Sequence, residues 1–158
     1  QAIFAKLHAL QQRVGFVVKI TEAPHYRMFV AEAEAARARA GAEERTRHLL
    51  ARELGPGGSI GQAPRGVNSG VGHLFVSHIG EIQPSGFLPL VCGQVRHDDP
   101  IAVYRHHPVF TALRDRSRLQ GRCGACRHRE LCGGSRARAW ALAGELLAED
   151  PDCWYQPG

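Results

Sequence analysis

The stretch GRCGACRHRELCGG, residues 121–134, sets Cys123, Cys126 and Cys132 at C-x2-C-x5-C spacing, and Cys153 follows beyond a helix-length segment. Four cysteines so placed can wrap one closed four-thiolate metal centre. The stretch has almost no apolar periodicity, and its flanking glycines let backbone amides approach sulfur closely. It is organised around a metal rather than a hydrophobic stripe. Structural zinc sites also use C-x2-C spacing, so the cysteines alone leave a four-cysteine zinc interaction module as the alternative.

Working outward, the remaining cysteine is Cys92, so the chain carries five, an odd and clustered set that suits ligation better than a disulfide framework. Thiols stay free in a reducing cytosol. The opening QAIFAKLHALQQRVG reads as an amphipathic helix without the pattern of a secretory signal, and no apolar run reaches the ~20 residues of a membrane span. The expectation is a cytoplasmic protein with no membrane partner. The net charge of +5 is spread along helices, with Glu32, Glu34, Glu43, Glu44 and Glu53 interleaved among arginines, so no nucleic-acid stripe is expected either. A chain of 158 residues with 44% hydrophobic content can fill a modest core in one domain or two small pieces.

Ile3, Leu7, Leu10 and Val14 share helical spacing, Gly15 ends that helix, and Phe16 to Ile20 reads as a short buried strand. Pro24 is placed to open a second helix, which runs with an interruption at Gly41 to about Leu54. This is an α/β unit, and the loop between strand and helix would present Glu22, His25 and Tyr26 where parallel α/β folds gather ligand contacts. Thr21 as a helix cap, with Glu22 at the positive helix end, explains the same residues. GPGGSIGQAPRGVNSGVG, residues 55–72, is too rich in glycine and proline for a helix and reads as a linker without a phosphate-loop pattern.

After it, His73–His78 and Glu81–Pro84 flank Ile79-Gly80 as a β-hairpin whose glycine takes positive φ. FLPLVCGQVR is read as an extended loop, Pro108 to about Leu119 as a helix, and Ser135 to Leu147 as the last helix. The adjacent His106 and His107 point different ways on any regular element, so they read as helix-start polar residues, not a metal pair. Cys92, alone in Leu90-Val91-Cys92-Gly93, reads as a small buried hydrophobe, and as the replacement ligand should Cys153 lie too far away.

GEIQPSGFLPL, GRCGACRHRELCGGSRARA and AEDPDCWYQP together resemble the C-terminal SPASM or twitch extension of radical S-adenosylmethionine enzymes, in the tetrapyrrole- and peptide-maturase branch. The resemblance covers roughly residues 65–157, and FVVKITEAPHYR resembles the end of the same enzymes' partial barrel. It implies an α/β (α+β) chain: the last helix-strand-helix units of a partial (β/α) barrel over 1–54, the linker over 55–72, and a SPASM/twitch-like iron-sulfur domain over 73–158.

Two-cluster members of that family carry further ligand cysteines where this chain has Ser85 and Arg136. The joint absence implies one auxiliary 4Fe-4S cluster, on Cys123, Cys126, Cys132 and Cys153. Arg136 and Arg138, following the triplet, read as hydrogen-bond donors near its sulfurs, and ordinary surface arginines on a helix explain them at least as well. The family's C-x3-C-x2-C loop does not occur in this sequence. S-adenosylmethionine and a second 4Fe-4S cluster are therefore expected on a missing N-terminal barrel, and the chain alone is expected to be inactive. The other partners implied are a small-molecule or peptide substrate and an electron donor or acceptor protein.

Overall fold

The computed structural model describes residues 1–14, 23–39 and 68–157, in two compact units spanning Gln1–Gly66 and Val67–Gly158. The expected strand Phe16–Ile20, Glu22, and residues 55–67 of the expected linker lie outside the described residues.

In the first unit, α1 (Ala2–Gln11) pairs with α2 (His25–Arg39). The aliphatic stripe expected here is packed only in part: Leu7 and Val14 are half-buried, while Ile3 and Leu10 are exposed. Phe4 and His8, four apart and so on one face, meet α2. Phe4 lies 5.2 Å from His25, 5.4 Å from Tyr26 and 5.9 Å from Phe29, ring centre to ring centre. Aromatic edges, which fit one another in tilted pairs, displace part of the aliphatic stripe here. His25, a candidate ligand contact from the sequence, is buried in that packing.

The second unit is α+β. Strands β1 (Phe75–Val76), β2 (Glu81–Gln83) and β3 (Gly93–Gln94) form an antiparallel sheet in that order, with Val76 opposite Ile82 and Ile82 opposite Gly93. The hairpin is where the sequence puts it, and Gly80 takes φ +89° in its turn. The third strand is a correction: part of FLPLVCGQVR pairs with β2 because the bare Gly93 lets Val103 and Asp98 close over it.

Two short helices follow, each opened by a capped proline. Asp99 caps α3 (Pro100–His106) through the Ile101 N–H, and His107 Nδ1 caps α4 (Pro108–Arg114) through the Val109 N–H. The sequence reading held only the second of them and ran it to Leu119. It ends at Arg114, because Asp115 turns extended and caps a 3₁₀ turn, Arg116–Arg118. His106 closes α3 and His107 opens α4, so only the latter is a helix-start residue. Arg114 ties the pair together, donating to the carbonyls of Tyr104 and Arg105 at 2.6 and 2.8 Å.

The core is two adjoining clusters. Ile82, Cys92 and Phe110 form one; Leu88, Leu113 and Ala137 form the other. The last two helices are α5 (Gly121–Ala125) and α6 (Arg136–Ala143). Helix α6 is shorter than the Ser135–Leu147 expected, since Gly144 takes a left-handed φ of +70° and stops it. Among the described residues, no helix is long and apolar enough to cross a membrane.

Candidate metal centre

Four of the five cysteines converge in the second unit. Cys123 lies within α5, Cys126 caps its end, Cys132 closes the following turn, and Cys153 arrives on the segment after α6. Local chemistry fixes that return. Arg122 donates to Glu149, to the Asp150 carbonyl at 3.5 Å and to the Cys153 carbonyl at 2.9 Å, while the Gln120 N–H bonds Leu147 O. The chain after α6 is thereby stapled to the chain before Cys123.

Each sulfur then receives a backbone N–H. Asp150 N lies 3.3 Å from Cys123 Sγ, His128 N 3.4 Å from Cys126 Sγ and Gly134 N 3.4 Å from Cys132 Sγ, and Tyr155 N serves Cys153. Such donors favour thiolate over thiol. At Cys132 burial outweighs its donor: it pushes the thiol up to about 11 against the Gly134 N–H, and the charges of Cys153, Cys123 and Cys126 add to the rise. Burial likewise raises Cys153, which also feels Cys123. These mutual effects place the four thiols in one electrostatic neighbourhood.

Positive charge is buried beside them. Arg136 is 0% exposed; its Nη2 is 3.6 Å from Cys123 Sγ, and its Nη1 donates to the carbonyls of Leu146 and Ala148. Arg116 is 9% exposed, and its Nη1 is buried without a hydrogen-bond partner. The expectation of two sulfur donors thus holds for one arginine. Arg138 instead clamps the buried Asp150 carboxylate, Nη2 to Oδ2 at 2.7 Å and Nε to Oδ1 at 3.0 Å. Burial works to raise the Asp150 pKa, but Arg138 and the Ser135 N–H hold it below the usual carboxylate range.

Two glycines make the convergence possible. Gly134 sits at φ +64°, and a Cβ there would fall 2.9 Å from Cys123 Sγ and 2.5 Å from Arg136 Nη2; a Cβ on Gly133, at φ +68°, would run into the Arg116 guanidinium. Asn68 ties the turn down, its amide donating to Cys132 O at 3.2 Å and Gly134 O at 2.8 Å.

This donor set fits a cationic metal centre. Four thiols with N–H donors become anionic ligands on deprotonation, and two buried guanidiniums stand ready to offset that charge. Among the described residues no three His, Cys, Asp or Glu side chains close on a single ion. A 4Fe-4S cluster would seat each thiolate on its own iron instead of gathering them on one ion. Cys92 is elsewhere, packed with Ile82 and Phe110 and with its thiol directed to Leu90 O at 3.4 Å.

Asn68, Arg116, Arg122 and Asp150 escape sequence reasoning. Asn68 falls in a stretch whose glycine and proline content masks it, although Asn68 and Ser69 are both buried in the second unit. The arginines look like the rest of an arginine-rich surface. Only Asp150, three residues before Cys153, leaves a signal of position.

Comparison with known proteins bears out the radical S-adenosylmethionine resemblance. The chain is 40% identical over 94 residues to the AdoMet-dependent heme synthase of Methanosarcina barkeri, a match covering 60% of this chain and 27% of that protein. It is 38% identical over 93 residues to the pre-heme d1 synthase of Dinoroseobacter shibae, covering 56% and 23%. It is 41% identical over 56 residues to the PqqA peptide cyclase of Methylobacterium nodulans, covering 35% and 15%. The chain thus spans about a quarter of the length of the heme-synthase relatives it matches. No family model matches it, and no solved structure does.

Proposed function

We propose that this chain is the auxiliary-cluster portion of a radical S-adenosylmethionine enzyme. It holds one 4Fe-4S cluster on Cys123, Cys126, Cys132 and Cys153 and serves electron transfer during radical modification of a substrate. The observation that carries the reading is the four-thiol convergence, each sulfur under a backbone N–H and two guanidiniums buried beside it. The similarity to heme synthases and a peptide cyclase supplies the reaction class. Over the same share of the chain, 60%, the Methanosarcina barkeri heme synthase is 40% identical and the PqqA peptide cyclase of Rhodopseudomonas palustris 31%, which favours a tetrapyrrole over a peptide as substrate.

Fully ligated by thiolates, such a cluster supplies a one-electron couple without an open iron position. The chain's own residues do the rest. Arg122 and Asp150 hold the Cys153 segment against α5, the four N–H groups stabilise thiolate charge, and the Asn68 amide fixes the Cys132–Gly134 turn. S-adenosylmethionine, its cluster and the electron carrier belong to other parts of the assembly, in the cytoplasm.

The test is a full-length enzyme carrying Cys123→Ala with Cys126→Ala. Losing the auxiliary couple while sparing S-adenosylmethionine cleavage predicts continued 5′-deoxyadenosine formation with product reduced at least about tenfold, some 1.4 kcal/mol of lost stabilisation. Unchanged product yield would remove electron transfer from this centre.

A further inference from the structure

Arg116 has no assigned role, and its placement is electrostatically unfavourable as it stands. A buried guanidinium without hydrogen-bond acceptors destabilises a fold. Arg116 is 9% exposed and its Nη1 is buried and unpartnered. The neighbouring acid is not its counter-ion: Asp115 spends its carboxylate on the Ser117 N–H and hydroxyl, at 3.1 and 2.5 Å. A second buried cation, Arg136, repels it; of the groups of opposite sign that it feels, Glu130 is solvent-exposed and lies 3.5 Å from Arg129, which leaves Cys132 and Cys123 as the buried ones. The backbone also makes room for it, since Gly133 at φ +68° leaves the space that a side chain would take from the guanidinium.

Arg136 and Arg116 differ in how they are held. Arg136 is anchored by two carbonyls of the segment before Asp150, so it would keep its place whatever the thiols bind. Arg116 has a free donor aimed into the same neighbourhood and nothing visible to satisfy it. A four-thiolate centre around a resting 4Fe-4S core or a zinc ion is a dianion. Two guanidiniums match it, and one does not.

We propose that Arg116 is a built-in counter-charge for the thiolate centre, a positioning residue whose buried donor is satisfied only when the thiols are metallated and whose charge raises the centre's reduction potential. The proposal rests on the cluster reading above for the potential, and on the thiolate charge alone for metal retention. A positive charge beside a centre favours its reduced, more negative state. Removing it favours the oxidised state.

The experiment uses the full chain with Arg116→Gln, Arg116→Lys, Arg116→Met and, as a control on the same turn, the exposed Arg118→Gln. Each is reconstituted anaerobically with iron and sulfide and titrated by electron paramagnetic resonance. Arg116→Gln is expected to shift the reduction equilibrium about tenfold toward the oxidised state, roughly 59 mV for one electron. Arg116→Lys keeps most of the wild-type potential, and Arg118→Gln leaves it unchanged. An unmoved potential in Arg116→Gln, or equal shifts at 116 and 118, overturns the proposal.

Should wild type take up zinc and no iron, the cluster reading fails by itself. Arg116 is then judged by zinc release to a chelator: several-fold faster from Arg116→Gln supports the counter-charge, and an unchanged rate overturns it. A third readout avoids metal. Metal-free Arg116→Met is expected to melt no lower than wild type, because the buried Nη1 it loses has no hydrogen-bond partner and Glu130, the acid it feels, is exposed; a lower melting temperature shows Arg116 to be a structural residue and also overturns it.

Discussion

Replacing Asp150 by Asn tests whether the return of Cys153 depends on one buried carboxylate. Asp150 is 0% exposed and accepts four donors: Ser135 N and Arg138 Nη2 on Oδ2, both at 2.7 Å, and Arg138 Nε and Asp152 N on Oδ1, at 3.0 and 3.3 Å. An amide keeps one oxygen. If it serves Ser135 and Arg138 Nη2, the new NH2 faces two N–H groups that it cannot accept from. Hydrogen bonds to charged groups contribute ~1.5–3 kcal/mol each, and breaking a fully buried pair costs about 3–5 kcal/mol. Arg138 is 25% exposed and has Asp152 within 3.5 Å, so it recovers part of the loss. The expected destabilisation is about 2–4 kcal/mol. Urea unfolding of the full chain reads it as a lower midpoint with unchanged slope. Arg138→Gln added to Asp150→Asn should then cost less than the sum of the two single changes. A loss below about 1 kcal/mol, or simple additivity, would refute the claim that this ion pair holds the segment in place.

Three further outcomes follow from the same geometry. Gly134→Ala should cost about 2–5 kcal/mol, combining ~1–2 for the left-handed backbone with ~1–3 for crowding Cys123 Sγ and Arg136, measured by thermal melting. Asn68→Ala strands the carbonyls of Cys132 and Gly134 and should cost about 1–3 kcal/mol and speed metal loss to a chelator. Burial lifts Cys92 from 9.0 to about 11, so the folded chain holds that proton more tightly than the unfolded one. Stability from Cys92 is therefore full below pH 9.0 and lost as pH rises through about 11. Alkylation of Cys92 at pH 8 should be far slower in the folded chain than in urea, and equal rates would contradict the burial.

The spacing of Cys123, Cys126 and Cys132 and the turn at Gly80 were legible because each depends on a few adjacent residues. Helix α3 and strand β3 were not, for a physical reason: both are short, and tertiary contacts at Gly93 and the Arg114 tie stabilise them more than propensity does. Helix α6 was overextended because Leu146 and Leu147 carry the apolar signal past the point where Gly144 turns the chain. At the site, the cysteines announce themselves by type. The groups that bring Cys153 back act at a distance in sequence: Arg122 reaches Glu149 and the Cys153 carbonyl across 27 and 31 residues, and the Asp150 carboxylate reaches Ser135 and Arg138 across 15 and 12, with only the place of Asp150 before Cys153 as a local mark. Arg136 and Arg138 shared two readings, sulfur donor and surface arginine, and only burial and partners separate Arg136 on Cys123 Sγ from Arg138 on the Asp150 carboxylate.

The most direct test is metal and sulfide analysis of the anaerobically reconstituted chain, compared with Cys153→Ala and Cys92→Ala. The account predicts roughly four irons and four sulfides per chain, with a broad absorption near ~400 nm that Cys153→Ala weakens and Cys92→Ala leaves intact. About one zinc without colour, or a cluster lost with Cys92 and kept without Cys153, would contradict it.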